Sequence, residues 1–148
     1  MVSGGGAPGE RTLRPAPVMD RDSRPWWEAL SAHRLLLQRC GGCAAWRWPA
    51  RAMCGRCGSF VWTWEEASGR GTLASWIVNH HRFSTDIASP YTVVTVRLAE
   101  QDDLLLPGGF DPSGGEPQVG AAVRAWFLDA RSPEGEQFTL LEWRVGTG

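Results

Sequence analysis

The sequence predicts a mainly β protein in which a short helix and a cysteine-bearing ribbon precede a small antiparallel barrel of five or six strands. Three observations support this fold class. All four cysteines fall into two Cys-x-x-Cys pairs within residues 40–57. One segment around residues 24–32 has apolar residues at helical spacing. From residue 60 onward, short alternating segments are separated by glycine-rich turns, which is typical of an OB-type barrel at this length.

Three regions are predicted along the chain. Residues 1–22 form a disordered tail or an interdomain linker, because glycines and prolines interrupt them and no hydrophobic period is present. Residues 23–62 comprise the helix and the ribbon. Residues 63–148 form the barrel.

Composition and charge narrow the class of protein. The 148-residue chain has a formal net charge of −1 and no apolar run long enough to span a bilayer. It opens with no signal-peptide pattern, so we expect a cytoplasmic protein with reduced cysteines and no membrane partner. Residues 29–64 carry five arginines and no acid, whereas residues 98–148 carry nine acids and three arginines. The ribbon is therefore predicted to be a local basic patch.

The helix is predicted from Arg24 to Ala32, with Asp22 or Ser23 as its N-cap. Its apolar face includes Trp26 and Trp27, for which two interpretations stay open. The two rings cover the protein core, or they anchor a partner protein. Residues 34–39 then form a strand that leads into the first cysteine pair.

The two cysteine pairs are separated by ten residues. Each pair offers two thiolates, and two such pairs close the tetrahedral four-sulfur site that is typical of structural zinc. Because sulfur fills every coordination position, the predicted Zn²⁺ is structural and not catalytic. Two disulfides are the alternative, as in a secreted scaffold. The predicted zinc ligands are Cys40, Cys43, Cys54 and Cys57.

The loop between the cysteine pairs is rich in tryptophan and arginine. Either the rings of Trp46 and Trp48 shield the metal from water, or they stack on a flat group while arginines bind phosphates. The candidate anion-binding residues are Arg47, Arg51 and Arg56. The candidate partner-interface residues are Trp26, Trp27, Trp46 and Trp48.

The barrel strands are predicted from alternation and β propensity. We expect a turn or bulge at residues 68–71, a polar loop at 84–90, a strand end at Pro107-Gly108-Gly109 and a loop at 110–120. The predicted strands are 60–66, 72–83, 91–98, 104–106, 121–128 and 137–145.

The order of these parts resembles the DUF35 family over roughly residues 24–145. The resemblance is carried by residues 26–30 of the helix, 35–40 before the ribbon, Ser68 to Leu73, Pro90 to Val94 and the late Val119-Gly120. It implies a rubredoxin-like zinc ribbon joined to an OB-fold barrel. The chain departs from the family pattern at four places. They are His33 and Ala44, where glycine is usual, Gly55, where proline is usual, and the stretch from Glu100 to Gly109.

The resemblance also implies a function. DUF35 proteins resemble accessory subunits that bind acyl-CoA beside thiolase-superfamily enzymes, lipid-transfer-protein-like aldolases or thiolases, or MaoC-like hydratases, in lipid or steroid side-chain metabolism. In this role, Arg47, Arg51 and Arg56 are the candidates for binding the phosphates of coenzyme A or an acidic partner surface. Single-stranded nucleic-acid binding and a purely structural bridge between enzymes are the alternatives. A groove for nucleic acid needs positive charge along it, and the predicted barrel is neutral to acidic.

Independent catalysis is not expected from these residues. A thiolase needs a free nucleophilic cysteine beside a base, and every cysteine is assigned to the metal. His80 and His81 are the only paired candidate bases, and neighbours on a strand point to opposite faces. The predicted function is therefore accessory, with nucleophile and base supplied by the partner.

Overall fold

The computed structural model of the protein describes residues 13–82 and 90–146. Within them the chain forms one α-helix, a three-stranded sheet and a closed five-stranded barrel, which confirms the predicted fold class. The helix and strands are α1 (Arg24–Ser31), β1 (Leu36–Cys40), β2 (Trp46–Arg47), β3 (Trp62–Glu66), β4 (Arg70–Asn79), β5 (Tyr91–Leu98), β6 (Leu105–Asp111), β7 (Ala122–Arg131) and β8 (Gln137–Val145).

The N-terminal segment enters the fold beside β7. The first twelve residues of the predicted tail lie outside the described residues, whereas Leu13 forms a bridge with Arg131. A turn follows in which Asp20 and Ser23 bond each other. The Ser23 amide donates to Asp20 Oδ1 at 2.7 Å, and the Asp20 amide donates to Ser23 Oγ at 3.2 Å. Ser23 is the N-cap of α1, but its side chain makes no capping hydrogen bond to the helix. The helix starts at the predicted residue and ends one residue early.

The ribbon is a small antiparallel sheet with strand order β2-β1-β3. The central strand β1 runs from Leu36 to Cys40, so it begins later than predicted and ends on the first cysteine. Its Leu37 and Gln38 side chains are buried. Cys40 is therefore positioned by the central, largely buried strand of the sheet.

The barrel has strand order β4-β5-β6-β8-β7 and closes through pairing of β4 with β7. All neighbours are antiparallel except β6 and β8, which run parallel. A ring of five strands cannot alternate direction throughout, so one neighbouring pair must be parallel. The order is that of an OB-fold.

Strand β6 is the main difference from the prediction. It does not end at Pro107-Gly108-Gly109 but continues through them to Asp111. Pro107 has no backbone N–H to donate to a neighbouring strand. It needs none toward β8, because the ladder between β6 and β8 begins only at Gly109. A Cβ atom on Gly108 would lie 2.9 Å from both the Leu141 carbonyl oxygen and the Trp143 ring. The glycine allows β6 to pass close to β8.

The other barrel strands follow the prediction with shifted ends. The turn expected at residues 68–71 is centred on Gly69, with φ of 78°, and β4 begins directly after it. Strand β4 ends at Asn79 and changes register between Leu73 and Ser75. The predicted loop at 84–90 falls almost entirely outside the described residues. Strand β7 extends to Arg131, and β8 has the predicted bounds.

One apolar core joins the two sheets. Leu30, Leu35 and Leu37 belong to the same buried cluster as the inward-facing residues of the barrel, including the fully buried Trp143. The helix and β1 therefore pack on the barrel. Among the described helical residues, no stretch is both long and apolar enough to cross a membrane. The boundary predicted between residues 62 and 63 stays a prediction.

Candidate metal centre and neighbouring cavity

The four cysteines converge at the end of the ribbon. Their four Sγ atoms all lie within 4.8 Å of one another. Cys40 Sγ is 3.5 Å from Cys57 Sγ, and Cys43 Sγ is 3.7 Å from Cys54 Sγ. A tetrahedral zinc ion about 2.3 Å from each sulfur requires sulfurs separated by about 3.8 Å, whereas a disulfide requires about 2.05 Å. The arrangement fits a four-thiolate metal and not two disulfides.

The two Cys-x-x-Cys segments have the same backbone course. The amide of Ala44 donates to the Cys40 carbonyl at 3.0 Å, and the amide of Gly58 donates to the Cys54 carbonyl at 2.9 Å. Both donors have left-handed backbone conformations, with φ of 65° and 77°. Each turn directs its two sulfurs toward the same point.

Backbone amides favour the thiolate form in these turns. The amides of Cys43 and Gly42 lie 3.5 and 3.2 Å from Cys40 Sγ and lower the pKa of its thiol to about 6, although burial opposes them. The amides of Cys57 and Arg56 similarly lower the pKa of Cys54. In both turns the backbone therefore favours the thiolate, which is the form that binds a metal.

The fourth thiol shows the cost of grouping four sulfurs. The Ser59 amide acts to lower the pKa of Cys57, but the Cys40 sulfur, burial and the other thiols raise it to about 11. Hydrogen bonds among the thiols cannot ionise all of them, whereas a bound dication stabilises every thiolate. The donor set therefore fits Zn²⁺.

A cavity of about 120 Å³ lies beside the metal centre, between the ribbon and the loop that joins β5 to β6. It brings together the three predicted arginines and two of the predicted tryptophans. Its lining includes Arg47, Arg51, Arg56, Trp46, Trp48 and Asp103.

Arg47 is 5% exposed and mainly holds the ribbon loop. Its Nε donates to Gln38 Oε1 at 2.8 Å, and Nη2 donates to the Arg51 carbonyl at 2.7 Å. The guanidinium also lies over the Trp62 ring, 5.1 Å from its centroid. Its Nη1 is buried and has no hydrogen-bond partner among the described residues. One donor of a buried cation is thus left for another group.

The other predicted arginines differ in their contacts. Arg56 pairs with Asp103 of the barrel at 2.7 Å. Arg51 is exposed, and its guanidinium makes no ion pair among the described residues. Arg34 and Arg39 pair with Glu66 and Glu65 on β3. Acids that lie beyond residue 64, two on β3 and one in the barrel, therefore neutralise three of the five arginines in the predicted basic patch.

The four predicted interface tryptophans all pack, partly buried, against the core cluster. Trp26 and Trp48 contact each other with ring centroids 5.9 Å apart. Trp46 lies under the Arg39 guanidinium, 5.0 Å from its centroid. Covering the core is therefore part of their role, and anchoring of a partner stays a prediction.

The paired histidines lie in the barrel and not in the ribbon that carries the cysteines. His80 and His81 follow the end of β4, and both are exposed. His33 is instead held by Asp129, with Nε2 and Oδ1 2.9 Å apart, and it stacks on Phe127. The sequence reasoning did not identify this contact.

Two glutamines that organise the site were also missed. Gln38 Oε1 accepts from Arg47 Nε and from the Arg51 amide, both at 2.8 Å. Gln101, in the loop after β5, bonds both the amide and the carbonyl of Trp46 at 2.9 Å. A signal existed for Gln38, a polar residue that directly follows the apolar run Leu35-Leu36-Leu37 within the predicted strand 34–39.

Sequence profiles of two domains match the chain side by side. The profile described as ChsH2, rubredoxin-like zinc ribbon domain, matches residues 27–63. The profile described as ChsH2, C-terminal OB-fold domain, matches residues 64–128.

Known proteins give the same assignment. A chain of the solved structure of the Ltp2-ChsH2(DUF35) aldolase is 34% identical, with a TM-score of 0.75, and the match covers 89% of this chain and 100% of that one. A DUF35 protein of unknown function from Sulfolobus solfataricus has the same fold, with 17% identity and a TM-score of 0.59 over 86% of this chain and 87% of that one.

A curated relative is similar over part of its length. The probable enoyl-CoA hydratase alpha subunit of Thermomonospora curvata is 42% identical over 90 residues, which are 61% of this chain and 28% of the relative. The match therefore spans little more than a quarter of that protein.

Proposed function

Because the chain belongs to the DUF35 family of ChsH2-type zinc-ribbon and OB-fold proteins, we propose that it is a non-catalytic accessory subunit of an acyl-CoA enzyme. It binds acyl-CoA and completes or stabilises a thiolase-superfamily partner, a lipid-transfer-protein-like aldolase or thiolase, in lipid or steroid side-chain metabolism. The carrying observation is the 34% identity to a chain of the Ltp2-ChsH2(DUF35) aldolase over that chain's full length. The hydratase name of the curated relative supports a MaoC-like hydratase as a second class of partner.

Zinc supports the fold in this proposal and takes no part in chemistry. One Zn²⁺ would be held by the thiolates of all four cysteines, and it would supply four fixed metal–sulfur bonds. The ligands would be Cys40, Cys43, Cys54 and Cys57. With no open coordination position, the ion has no water to activate. The partner supplies the nucleophile and the base, and this chain supplies a shaped surface. We expect the assembly in the cytoplasm.

The cavity of about 120 Å³ beside the metal centre, which we call the ribbon cavity, is the proposed contact for the phosphates of coenzyme A. It is supported by two arginines on the same wall whose guanidiniums are incompletely partnered within residues 13–82 and 90–146. Nη1 of the buried Arg47 has no hydrogen bond there, and Arg51 has no ion pair there. Arginine forks match phosphate oxygens in geometry and charge. Arg56 takes part less directly, because Asp103 already occupies one side of it. Trp46 and Trp48 line this cavity, and Trp26 contacts Trp48. Together with Trp27, these rings would anchor the partner.

The proposal is tested by reconstitution with a lipid-transfer-protein-like thiolase-fold protein. The two chains should elute together in size-exclusion chromatography, and calorimetry should detect coenzyme A binding to the chain or the complex. Replacement Arg51→Gln should weaken that binding about tenfold, because a charge-assisted hydrogen bond is lost. Arg21→Gln, which removes the same charge from the exposed turn before α1, should leave it unchanged.

Three results would overturn this function. The first is the absence of any complex with thiolase-like or hydratase-like partners. The second is turnover of an acyl-CoA by the isolated chain. The third is tight binding of single-stranded DNA or RNA at physiological salt without binding of coenzyme A, which would favour a nucleic-acid-binding protein. A complex that binds no coenzyme A would instead indicate a purely structural bridge.

A further inference from the structure

A single row of charged residues crosses four strands of the barrel. Arg70 of β4 lies opposite Arg124 of β7, which lies opposite Arg144 of β8. Arg144 is in turn aligned with Asp111 of β6. Residues opposite each other on neighbouring strands project from the same face of a sheet. We call Arg70, Arg124 and Arg144 the arginine row.

The row lies on the outside of the barrel. Val123 and Trp143, which directly precede Arg124 and Arg144, are buried in the core. Successive side chains on a strand point to opposite faces, so the two arginines project outward. The row is a surface feature of β4, β7 and β8, and none of its residues lines the ribbon cavity.

Only one end of the row is neutralised. Asp111 Oδ2 accepts from both Nε and Nη2 of Arg144, with the Nε contact at 3.2 Å. Within the described residues, no carboxylate pairs with the guanidinium of Arg70 or of Arg124. Like charges placed directly opposite each other on neighbouring strands are destabilising. The row therefore carries two positive charges that nothing in the described fold balances.

Arg144 is fixed in place before any ligand arrives. Its guanidinium lies over the Trp126 ring, 3.5 Å from the centroid, and its side chain is 17% exposed. Burial acts to raise the pKa of Asp111, but hydrogen bonds from Arg144 and Ser113 outweigh it and lower that pKa. The ionised Asp111 therefore holds one side of the Arg144 fork and leaves the rest in a set orientation.

Open space adjoins the row on both sides of Arg124. A cavity of about 470 Å³ is lined by Arg124 and Arg144 together with Ser113 and Gly114. A second cavity of about 210 Å³ is lined by Arg70 and Arg124. The one acid on its wall, Glu66, is already paired with Arg34, which lies on the same wall. The unmatched cations thus face space that a ligand can enter.

We propose that the arginine row binds a phosphate-type oxyanion with at least two negative charges, such as a diphosphate group. Neighbouring strands lie about 4.8 Å apart, so adjacent guanidiniums on the row can each contact a different oxygen of one such group. Planar guanidinium forks suit phosphate oxygens. The ligand relieves the repulsion between Arg70 and Arg124 that the fold leaves in place. This inference does not depend on the proposed accessory function.

Calorimetry with pyrophosphate at low salt tests the site. The wild-type chain should bind pyrophosphate, and Arg124→Gln should weaken binding by about tenfold or more through loss of a charge-assisted contact. Arg21→Gln, with the same change in net charge, should bind as wild type does. Without ligand, Arg124→Gln should keep or slightly raise the melting temperature, since it removes like-charge repulsion. A merely structural arginine would give the opposite shift.

The source of the oxyanion is distinguished by competition. Displacement of pyrophosphate by coenzyme A assigns the row to a nucleotide diphosphate, and binding of pyrophosphate or inorganic phosphate without displacement assigns it to the free oxyanion. Wild-type protein that binds neither pyrophosphate nor phosphate overturns the inference, as does equal pyrophosphate binding by wild type and Arg124→Gln. Failure here leaves the accessory function standing if the enzyme complex forms and Arg51→Gln alone weakens coenzyme A binding.

Discussion

The backbone turns left-handed directly after each cysteine pair, at Ala44 and at Gly58. A glycine adopts this conformation without penalty, whereas an L-residue with a Cβ atom pays about 1–2 kcal/mol. The two turns have the same hydrogen bonds, so they form an internal comparison. Ala44 carries a local strain that Gly58 avoids.

We expect Ala44→Gly to raise the free energy of unfolding by about 0.5–1 kcal/mol, since relief of the left-handed strain exceeds the added freedom of the unfolded chain. Gly58→Ala should lower it by about 1 kcal/mol, because a Cβ there meets no atom within 4 Å and only the backbone term remains. Denaturant unfolding of the two zinc-loaded variants measures both. Shifts of the same sign in both would contradict the assignment.

His33 is a second non-glycine residue in the left-handed region, with φ of 57°, where the helix ends. Hydrogen bonding to Asp129 and stacking on Phe127 accompany this conformation. The sequence alone shows that His33 stands where glycine is usual. Its hydrogen-bond partner Asp129, however, lies 96 residues away along the chain. Contacts at that separation depend on how β7 is placed, and no local pattern encodes them.

The strands and the ribbon were predictable as elements because their signals are local. Alternation located β5 and β8, and cysteine spacing located the two turns that meet at the metal centre. Strand β6 was not predictable in length, since Pro107-Gly108-Gly109 is a turn signal unless a neighbouring strand requires close approach. That requirement comes from β8, which runs beside β6 only after the barrel has closed.

The close approach of β6 to β8 at Gly108 can be tested by substitution. Gly108→Ala should lower the free energy of unfolding by about 1–3 kcal/mol, because its Cβ would press on the Leu141 carbonyl and the buried Trp143 ring. Gly55→Ala is the matched control: its Cβ meets no atom within 4 Å, and we expect a change within about 0.5 kcal/mol. Thermal and denaturant unfolding provide the values. Equal stability of Gly108→Ala and wild type would mean that β6 and β8 are farther apart.

Charge along the sequence predicted a basic ribbon, and the folded molecule changes that prediction. Arg34 and Arg39 meet acids of β3, and Arg56 meets Asp103 of the barrel. Conversely, the arginine row draws its members from three separate strands, so no segment of the sequence displays it. Net charge by segment locates cations but not the partners that balance them.

The metal centre acts on the molecule as a whole. Cys54→Ser should leave the purified protein with well under one zinc per chain, where wild type holds about one, because one of four thiolates is lost. Its melting temperature should fall and should no longer respond to a chelator, since metal binding contributes to folding. Ala52→Ser, a neighbouring exposed position with the same new side chain, should retain the metal.

Elemental analysis and thermal scans with and without chelator measure these effects. A Cys54→Ser variant that retains full zinc would rule out the four-cysteine site. Wild-type protein that melts identically with and without chelator would show that the ion does not support the fold.

Leucines of α1 and β1 belong to the same buried apolar cluster as residues of the barrel strands. Each sheet would therefore expose apolar side chains to water without the other. Amide protons of β1 and β8 should accordingly exchange with deuterated water at matching rates, through one shared opening of the whole chain. A ribbon joined to a different barrel should therefore fold only if that barrel offers an equally apolar surface for the leucines of α1 and β1.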